Sequence, residues 1–414
     1  MAGTHDVWEV NHDAGYALAL LTPDEAARLR ADGYPVEMAQ EQSALTEMTT
    51  VRSTDAGGIG GFPCYRTVAE SYADMATLAA THPTLAAWVD FGDSWDKNQA
   101  GGPAGNDLRA LVLTNQARSG EKFRFLLIAA IHARELATAE LAARFAEQLL
   151  AGYGQDPDLT WLLDFGEIHI VPIMNPDGRL FAEQGLSWRK NTNNSDGCFL
   201  DNPAFTGYGV DLNRNSSFKW ALCETGNCSS TDACATTFRG RAAASEPETQ
   251  AIQTYARALF DDQRGPEDEA AAPGETSGVF ISLHSYGKLI LYPWGWQAAP
   301  SPNGAQMETL AQKFGYFTNY TVCQAGASGC LYQTDGTTDD WTYGELGVAS
   351  FTFEIGTTFF QSCSYFEQSI LEQNSDALLY AAKAARRPYQ TPAGLKSSIL
   401  SWRARLSPPA RWSH

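Results

Sequence analysis

The sequence predicts an α/β fold, because from Phe62 onward short apolar runs of strand length alternate with longer segments of helical periodicity. The 414 residues are 44% apolar and 11% aromatic, which is enough to bury a large core and excludes wholesale disorder. A length of about 150 residues per domain suggests two or three units, although single α/β domains often reach twice that size. We therefore expect one large α/β domain with smaller additions.

The predicted strands and helices follow one another along most of the chain. The strands are Trp88–Phe91, Leu108–Thr114, Phe123–Ile131, Glu167–Met174, Gly278–Leu283, Leu289–Tyr292 and Ala349–Ile355. The helices are Val68–Thr81, Leu136–Leu150, Glu246–Leu259, Met307–Phe317 and Phe366–Ala385. Asn175-Pro-Asp-Gly178 is predicted to be a turn.

The two ends of the chain are predicted to lie outside this domain. In residues 1–50, a short apolar run at Tyr16–Leu21 precedes Thr22-Pro-Asp-Glu25, which has the residues of a helix start. Residues 51–63 contain Ala56-Gly-Gly-Ile-Gly-Gly61, which is typical of a flexible, protease-accessible linker. The main domain is then expected to span 64–387, and residues 388–414 are expected to be an irregular tail.

The charge balance excludes several classes of partner. A formal net charge of −19 argues against nucleic acid and anionic membranes, since both need clustered Lys and Arg. No apolar run approaches the ~18–20 residues of a membrane span. The longest run, Phe125–Ile131, has seven residues. We expect a soluble monomer without a nucleic-acid or membrane partner.

The eight cysteines point to an oxidising compartment. Most lie in loops rich in Gly, Ser, Asn and Thr, and no CxxC pair suggests structural zinc. A buried free thiol is the simplest interpretation of any one cysteine. The loop clusters Cys198/Cys223/Cys228/Cys234 and Cys323/Cys330 are more typical of disulfides, although eight cysteines allow 105 connectivities. We therefore expect a secreted protein, extracellular or periplasmic.

Two histidines directly follow apolar strands, and this position suggests a metal site. His132 follows Ala-Ala-Ile, His284 follows Ile-Ser-Leu, and Glu135 comes three residues after His132. Ligands bind at the carboxyl ends of strands in open α/β sheets. A His/Glu/His set with an open fourth position is a known catalytic zinc arrangement. A single His-x-x-Glu is also common as a surface pair or a helix-cap contact.

Further polar residues could complete such a site. Glu354 ends the apolar run Phe351-Thr-Phe and could act as a general base, unless it is simply a solvent-exposed strand end. Two turn-rich segments contain further candidates, Arg189 in one and the pair Asn213 and Arg214 in the other. A guanidinium together with an amide can hold a carboxylate. Surface ion pairs are the alternative for each arginine.

Together these segments resemble the zinc carboxypeptidase family of the pancreatic carboxypeptidase A and B type, including its secreted bacterial members. The matching segments, in family order, are His132-Ala-Arg-Glu135, Asn175-Pro-Asp-Gly178, Trp188-Arg-Lys190, Asp211-Leu-Asn-Arg-Asn215, Ser245-Glu-Pro-Glu248, His284-Ser-Tyr286, Tyr332-Gln333, Asp340-Trp-Thr-Tyr343 and Phe351-Thr-Phe-Glu354. They cover roughly Cys64 to Ala385. The resemblance implies a mixed, mostly parallel sheet of about eight strands with helices on both faces, and one Zn²⁺ per chain.

The resemblance also implies a role for each site residue. His132, Glu135 and His284 would bind zinc, and Asp211 would orient the first histidine. Glu354 would activate water as general base, and Arg189 would stabilise the oxyanion. The remaining residues would contact the substrate. Asn213 and Arg214 would clamp its terminal carboxylate, Tyr332 would close over the bound residue, and Arg134 and Tyr286 would position the upstream peptide.

Substrate preference is expected to depend on Asp339. In the family, an apolar residue before the Asp-Trp pair accompanies apolar preference, whereas Asp accompanies preference for Lys and Arg. Other aligned pocket positions also fit apolar side chains: Leu291, Gly295, Leu331 and Thr352. We therefore expect a basic or a broad C-terminal preference, unless Asp339 points away from the pocket.

Several alternatives remain open from the sequence. The enzyme could act on cell-wall or glutamyl peptides with the same metal site, or the chain could be a non-catalytic peptide-binding member. The N-terminal segment is either the remnant of an inhibitory pro-domain or a structural appendage. Three segments look like insertions that either rim the site or decorate the surface: 194–208, 223–234 and 261–277.

Overall fold

The computed structural model describes residues 6–11, 15–21, 23–38, 57–198, 207–226 and 228–391. The strands are β1 (Asp6–Asn11), β2 (Tyr16–Leu20), β3 (Ala86–Asp93), β4 (Asp107–Leu113), β5 (Phe123–Ile128), β6 (Gly166–Val171), β7 (Val279–His284), β8 (Leu289–Tyr292), β9 (Thr321–Gln324) and β10 (Ala349–Glu354). The helices are α1 (Pro23–Ala31), α2 (Val68–Thr81), α3 (Leu136–Gly152), α4 (Pro157–Phe165), α5 (Pro176–Glu183), α6 (Pro247–Leu259), α7 (Gly304–Thr318), α8 (Thr338–Leu346) and α9 (Leu371–Ala384). The predicted α/β class is confirmed.

Eight strands form one mixed sheet in the order β3-β4-β6-β5-β7-β10-β8-β9. The central run β6-β5-β7-β10 is parallel, and so is the pair β8/β9. The pairs β3/β4, β4/β6 and β8/β10 are antiparallel. The carboxyl ends of β5, β7 and β10 therefore lie side by side at one edge of the sheet.

Helices cover both faces of the sheet, because the central strands are apolar on both sides. On β5, Phe125 and Leu127 belong to one buried cluster, together with residues of α3, α7 and α9. Leu126 and Ile128 alternate with them and belong to a second cluster, together with residues of α6 and α8. This double coverage fixes the strand ends that carry the site.

Several elements were not predicted from the sequence. They are β1, β9, α4, α5 and α8. The predicted turn at Asn175 is the first turn of α5, where the Asn175 side chain accepts a hydrogen bond from Gly178 N (3.0 Å) and Pro176 occupies the first helical position. The same signals, Asp156 followed by Pro157, begin α4. An Asn or Asp followed by Pro is a signal for the start of a helix. The same residues are typical of turns, so the sequence did not distinguish the two structures.

The expected linker differs from the structure over residues 57–63, whereas 51–56 lie outside the described residues. Ile59 is buried, and its N–H donates to Tyr65 O (2.8 Å). Gly58 N donates to Glu70 Oε1 (2.9 Å). These contacts attach the glycine-rich stretch to α2, so residues 57–63 belong to the folded domain rather than to a flexible linker.

The first residues of the expected irregular tail are also ordered and packed. Residues Pro388–Gln390 form a 3₁₀ turn, in which buried Tyr389 donates its hydroxyl to Gly347 O (2.8 Å). The packed domain therefore extends through these residues, and 392–414 lie outside the described part of the chain.

All eight cysteines form disulfides: Cys64–Cys363, Cys198–Cys234, Cys223–Cys228 and Cys323–Cys330. The loop clusters pair as their positions suggested. Cys64 and Cys363, which are 299 residues apart, join the start of the domain to the segment before α9. None of the described helices combines the length and the apolar character needed to cross a membrane.

Candidate active site

The strand ends bring together the residues that the sequence singled out. His284 is the last residue of β7, and it pairs in register with Glu354, the last residue of β10. His132 follows β5 after a short loop, and Glu135 immediately precedes α3. Neighbouring parallel strands thus place two imidazoles and two carboxylates at one point.

His132, Glu135 and His284 form a compact set of potential metal ligands. His132 Nδ1 lies 2.8 Å from Glu135 Oε1 and 3.1 Å from His284 Nδ1, and His284 Nδ1 lies 3.4 Å from Glu135 Oε2. The residues are 3%, 1% and 1% exposed. Ligands about 2.0–2.2 Å from a tetrahedral zinc ion need separations close to these. Two nitrogens and one carboxylate therefore fit Zn²⁺, and the described residues contain no second such cluster.

The electrostatics also favour a cation at this point. Burial lowers the pKa of His284, so its imidazole is held in the neutral form that metals bind. Burial alone would raise the pKa of Glu135, but the His132 and His284 rings bring it below its usual range. A buried carboxylate beside two ring nitrogens is the donor set of a divalent metal ion.

A second layer of hydrogen bonds orients these ligands. His132 Nε2 lies 3.2 Å from Asp211 Oδ1, and Asp211 Oδ2 accepts from Arg189 Nε (3.1 Å) and Nη2 (2.9 Å). Asp211 is fully buried, which would raise its pKa, but Arg189 and His132 hold that pKa well below its ordinary value. Asp211 therefore fixes both the first imidazole and the guanidinium beside it.

Ser282 does the same for the second histidine, and the sequence reasoning missed it. Ser282 Oγ lies 2.9 Å from His284 Nε2. The two residues are on the same strand with one residue between them, so their side chains share a face of the sheet. This spacing was the signal that could have identified Ser282.

Glu354 is partly exposed and lines the same pocket as the three ligand residues. Burial, followed by the nearby Glu135 carboxylate, raises the pKa of Glu354 well above its usual value, and Arg189 and Arg214 oppose this. A carboxyl group in this environment can take up a proton and release it.

Asn213 and Arg214 line the pocket next to the metal ligands. Asn213 Oδ1 accepts from Thr338 N (3.0 Å) and Thr338 Oγ1 (3.2 Å), which leaves the amide nitrogen to act as a donor. The buried Arg214 donates from Nη1 to Asn213 O (2.8 Å), and its Nε has no described partner. An unsatisfied buried guanidinium nitrogen is costly, and an anionic ligand would relieve that cost.

Asp339 also points into the pocket rather than away from it. Its Oδ2 accepts from Thr352 Oγ1 (3.2 Å), its Oδ1 accepts from Asp340 N (3.0 Å), and no described cation pairs with it. Leu291, Leu331 and Thr352 line the pocket as expected, whereas Gly295 does not. Gly295 instead supports the wall, because its N–H donates to Asp340 (2.9 Å).

Aromatic residues form the upstream wall. The Arg134 guanidinium lies 4.0 Å from the centre of the Phe359 ring, and Tyr286 contacts the same ring edge-on at 5.0 Å. Tyr286, Tyr332 and Phe359 line the pocket. Phe359 was missed because nothing in its neighbourhood distinguished it from a core aromatic.

One residue of the N-terminal segment also lines the pocket. Val7 of β1 is partly exposed and lines the same pocket as His132 and Asp339. β1 and β2 pair as an antiparallel two-stranded sheet. The N-terminal segment therefore reaches the active site, and no sequence pattern indicated this.

Comparison with known proteins agrees with this geometry. A family model described as zinc carboxypeptidase matches residues 71–376. Carboxypeptidase A2 of Mus musculus is 28% identical over 320 residues, which cover 75% of this chain and 67% of that protein. The fold is similar to carboxypeptidase A from Helicoverpa armigera (TM-score 0.69, 21% identity, 92% and 91% of the two chains) and to thrombin activatable fibrinolysis inhibitor (TM-score 0.67, 22% identity, 93% of each). Because the family model spans most of its length, this chain belongs to the zinc carboxypeptidase family, a family of metallocarboxypeptidases with one zinc ion as cofactor.

Proposed function

We propose that this metallocarboxypeptidase removes C-terminal Lys or Arg residues from peptides and proteins. The observation that carries the proposal is the Asp339 carboxylate, which lines the pocket with only neutral donors around it. A substrate ammonium or guanidinium would supply the missing charge, whereas an acidic side chain would be repelled. Leu291 and Leu331 favour the second candidate, a broad preference that includes apolar residues.

The metal ligands in this proposal are His132, Glu135 and His284. Zinc held there supplies Lewis acidity, which lowers the pKa of water and polarises a carbonyl group. Asp211 and Ser282 hold the two imidazoles in orientation through their outer nitrogens.

Proton transfer is assigned to Glu354. Its raised pKa suits a carboxylate that accepts the proton of the attacking water and then delivers it to the leaving amine. Arg189, fixed by two hydrogen bonds to Asp211, stabilises the negative charge that develops on the scissile carbonyl oxygen.

Substrate positioning is assigned to five further residues. Asn213 and Arg214 bind the terminal carboxylate, which selects the end of a chain over an internal peptide bond. Tyr332 covers the bound C-terminal residue. Arg134 and Tyr286, both in contact with Phe359, hold the upstream peptide.

A peptide panel tests the proposal directly. Matched peptides ending in Arg, Lys, Phe or Glu are incubated with the enzyme, with a chelator, and with chelator followed by zinc. We expect release of Arg and Lys to exceed release of Glu by at least about 10²-fold, and activity to disappear and return with zinc. A strong preference for Phe over Arg would reject the role of Asp339.

The N-terminal segment is proposed to restrict access to the site. Val7 supports this, because it lines the pocket that would receive the substrate. A site-specific protease sequence placed within 46–52 would allow cleavage after folding. We expect cleavage to increase kcat/KM on a long peptide more than on a dipeptide, and unchanged kinetics would favour a structural appendage.

We further propose that the enzyme works in an oxidising, extracytoplasmic compartment. Four disulfides support this location. Thiol labelling of the protein from its native source should find all eight cysteines blocked before reduction. Free thiols at these positions would contradict the proposal.

A further inference from the structure

The loop that carries Tyr332 makes additional contacts through the next residue, Gln333. Both polar atoms of the Gln333 side-chain amide form hydrogen bonds. Its Oε1 accepts from Thr225 N (2.9 Å), and its Nε2 donates to Glu224 Oε2 (2.8 Å). Both partners belong to the loop closed by the Cys223–Cys228 disulfide.

Glu224 also joins a third loop. The same Oε2 accepts from Ala298 N (2.9 Å), and Glu224 N donates to Trp296 O (2.9 Å). The hydrogen bonds that Oε2 accepts from Ala298 N and from Gln333 Nε2 lower the pKa of Glu224, so the carboxylate stays charged at neutral pH. One exposed acid thus connects loops that are about 70 and 110 residues away in the sequence.

The loop after Gly295 already shapes the substrate pocket. Gly295 N is bonded to Asp340, and Gly295 O accepts from Thr334 N (3.0 Å). On its other side, the Tyr332 loop is closed by the Cys323–Cys330 disulfide. The contacts of Gln333 therefore add a restraint on the loop directly beside Tyr332.

We propose that Glu224 and Gln333, here called the clasp, are positioning residues that hold Tyr332 in its substrate-covering place. This rests on the proposed role of Tyr332. A loop that is already ordered loses less conformational entropy when substrate binds. Without the clasp, a smaller fraction of molecules has Tyr332 in place, so KM rises while the chemical step is unchanged.

The interaction can be broken and rebuilt by exchanging its two side chains. Glu224→Ala should raise KM for an Arg-terminated peptide about 3- to 10-fold and leave kcat within about twofold. Gln333→Glu places two carboxylates together and should raise KM further. The double variant E224Q/Q333E restores a carboxylate facing an amide, and its KM should return to within about twofold of the wild-type value.

A matched control lies in the same loop. Thr225→Ala keeps the backbone N–H that binds Gln333, so its KM should equal that of the wild type. Amide hydrogen exchange of residues 327–334 should accelerate in E224A, remain slow in T225A, and slow again in the exchanged double variant.

The outcomes separate this inference from the proposed function. Unchanged KM and unchanged hydrogen exchange in E224A, or a double variant no better than Q333E, would overturn the clasp. If the wild-type protein failed to hydrolyse any peptide, the proposed function would fall, and the hydrogen-exchange comparison would still decide whether the clasp orders the loop.

Discussion

The metal end of the sheet and the rim of the substrate pocket are held in place by different means. His284 ends a buried strand, His132 follows one after a short loop, and Glu135 precedes a buried helix. The Glu135 carboxylate lies 2.8 Å from the His132 imidazole and 3.4 Å from that of His284. Leu331 and Tyr332 lie on a loop held by a disulfide and by the exposed Glu224. The difference indicates that the sheet fixes the chemistry and that the loops adjust which substrate reaches it.

The largest expected effect is at the metal end. Glu354→Gln should reduce kcat by about 10³- to 10⁴-fold, because the amide cannot accept the proton of the attacking water. Zinc content and the unfolding temperature should match the wild type, since Gln has the same shape. Retention of more than a tenth of the wild-type kcat would contradict the assignment of Glu354 as base.

Arg214 lies between the two regions and should show the next largest effect. Arg214→Ala should reduce kcat/KM for a peptide with a free C-terminal carboxylate by about 10²- to 10³-fold, because the buried anion loses its bidentate partner. The amidated peptide should lose less than about tenfold. Arg214→Lys, which keeps the charge but not the fork, should fall in between. Equal losses on both peptides would exclude the clamp.

The pocket rim should respond in specificity rather than in overall rate. Asp339→Asn keeps the shape and removes the charge, so kcat/KM for an Arg-terminated peptide should fall about 10²-fold while that for a Phe-terminated peptide stays within about threefold. The measured quantity is the ratio of the two values. An unchanged ratio would show that Asp339 has only a structural role.

A pair of acids away from the site, Glu246 and Glu248, sharpens the comparison, because no cation among the described residues forms an ion pair with either. Glu248 is fully buried beside Glu246 and accepts hydrogen bonds from Trp95 N (2.7 Å) and Asn191 Nδ2 (3.2 Å). Burial, followed by Glu246, raises the pKa of Glu248 to about 8.

This pair predicts a loss of stability as the pH rises. In the folded protein Glu248 keeps its proton up to about pH 8, whereas in the unfolded chain it releases the proton near its ordinary pKa. The stabilising contribution of Glu248 is therefore complete below about pH 4.5 and is lost as the pH rises through about 8. The free energy of unfolding should fall by up to about 1.4 kcal/mol per pH unit in this window. In Glu248→Gln this component should be absent, whereas the exposed control Glu269→Gln should keep the wild-type slope. If the free energy of unfolding had the same pH dependence in the wild type and in both variants, the assignment to Glu248 would be wrong.

Much of the fold and the site could be predicted because the signals are local. Apolar runs marked all the central strands, and two of them ended in His132 and His284. Family-like segments in order along the chain then singled out Arg189, Arg214 and Glu354, which line the same pocket. Helices that begin with turn residues, such as α5, were misread because Asn and Pro serve both structures.

The sequence by itself determined the class of fold, the ligand set and the acidic pocket residue, because each depends on residue type and on near neighbours in the chain. Only the tertiary structure decided that Val7 lines the pocket, that Cys64 pairs with Cys363, that residues 57–63 are packed, and that Glu224 bonds to Gln333. Such contacts join segments tens to hundreds of residues apart. The path of the chain brings them together, and no local pattern records that path.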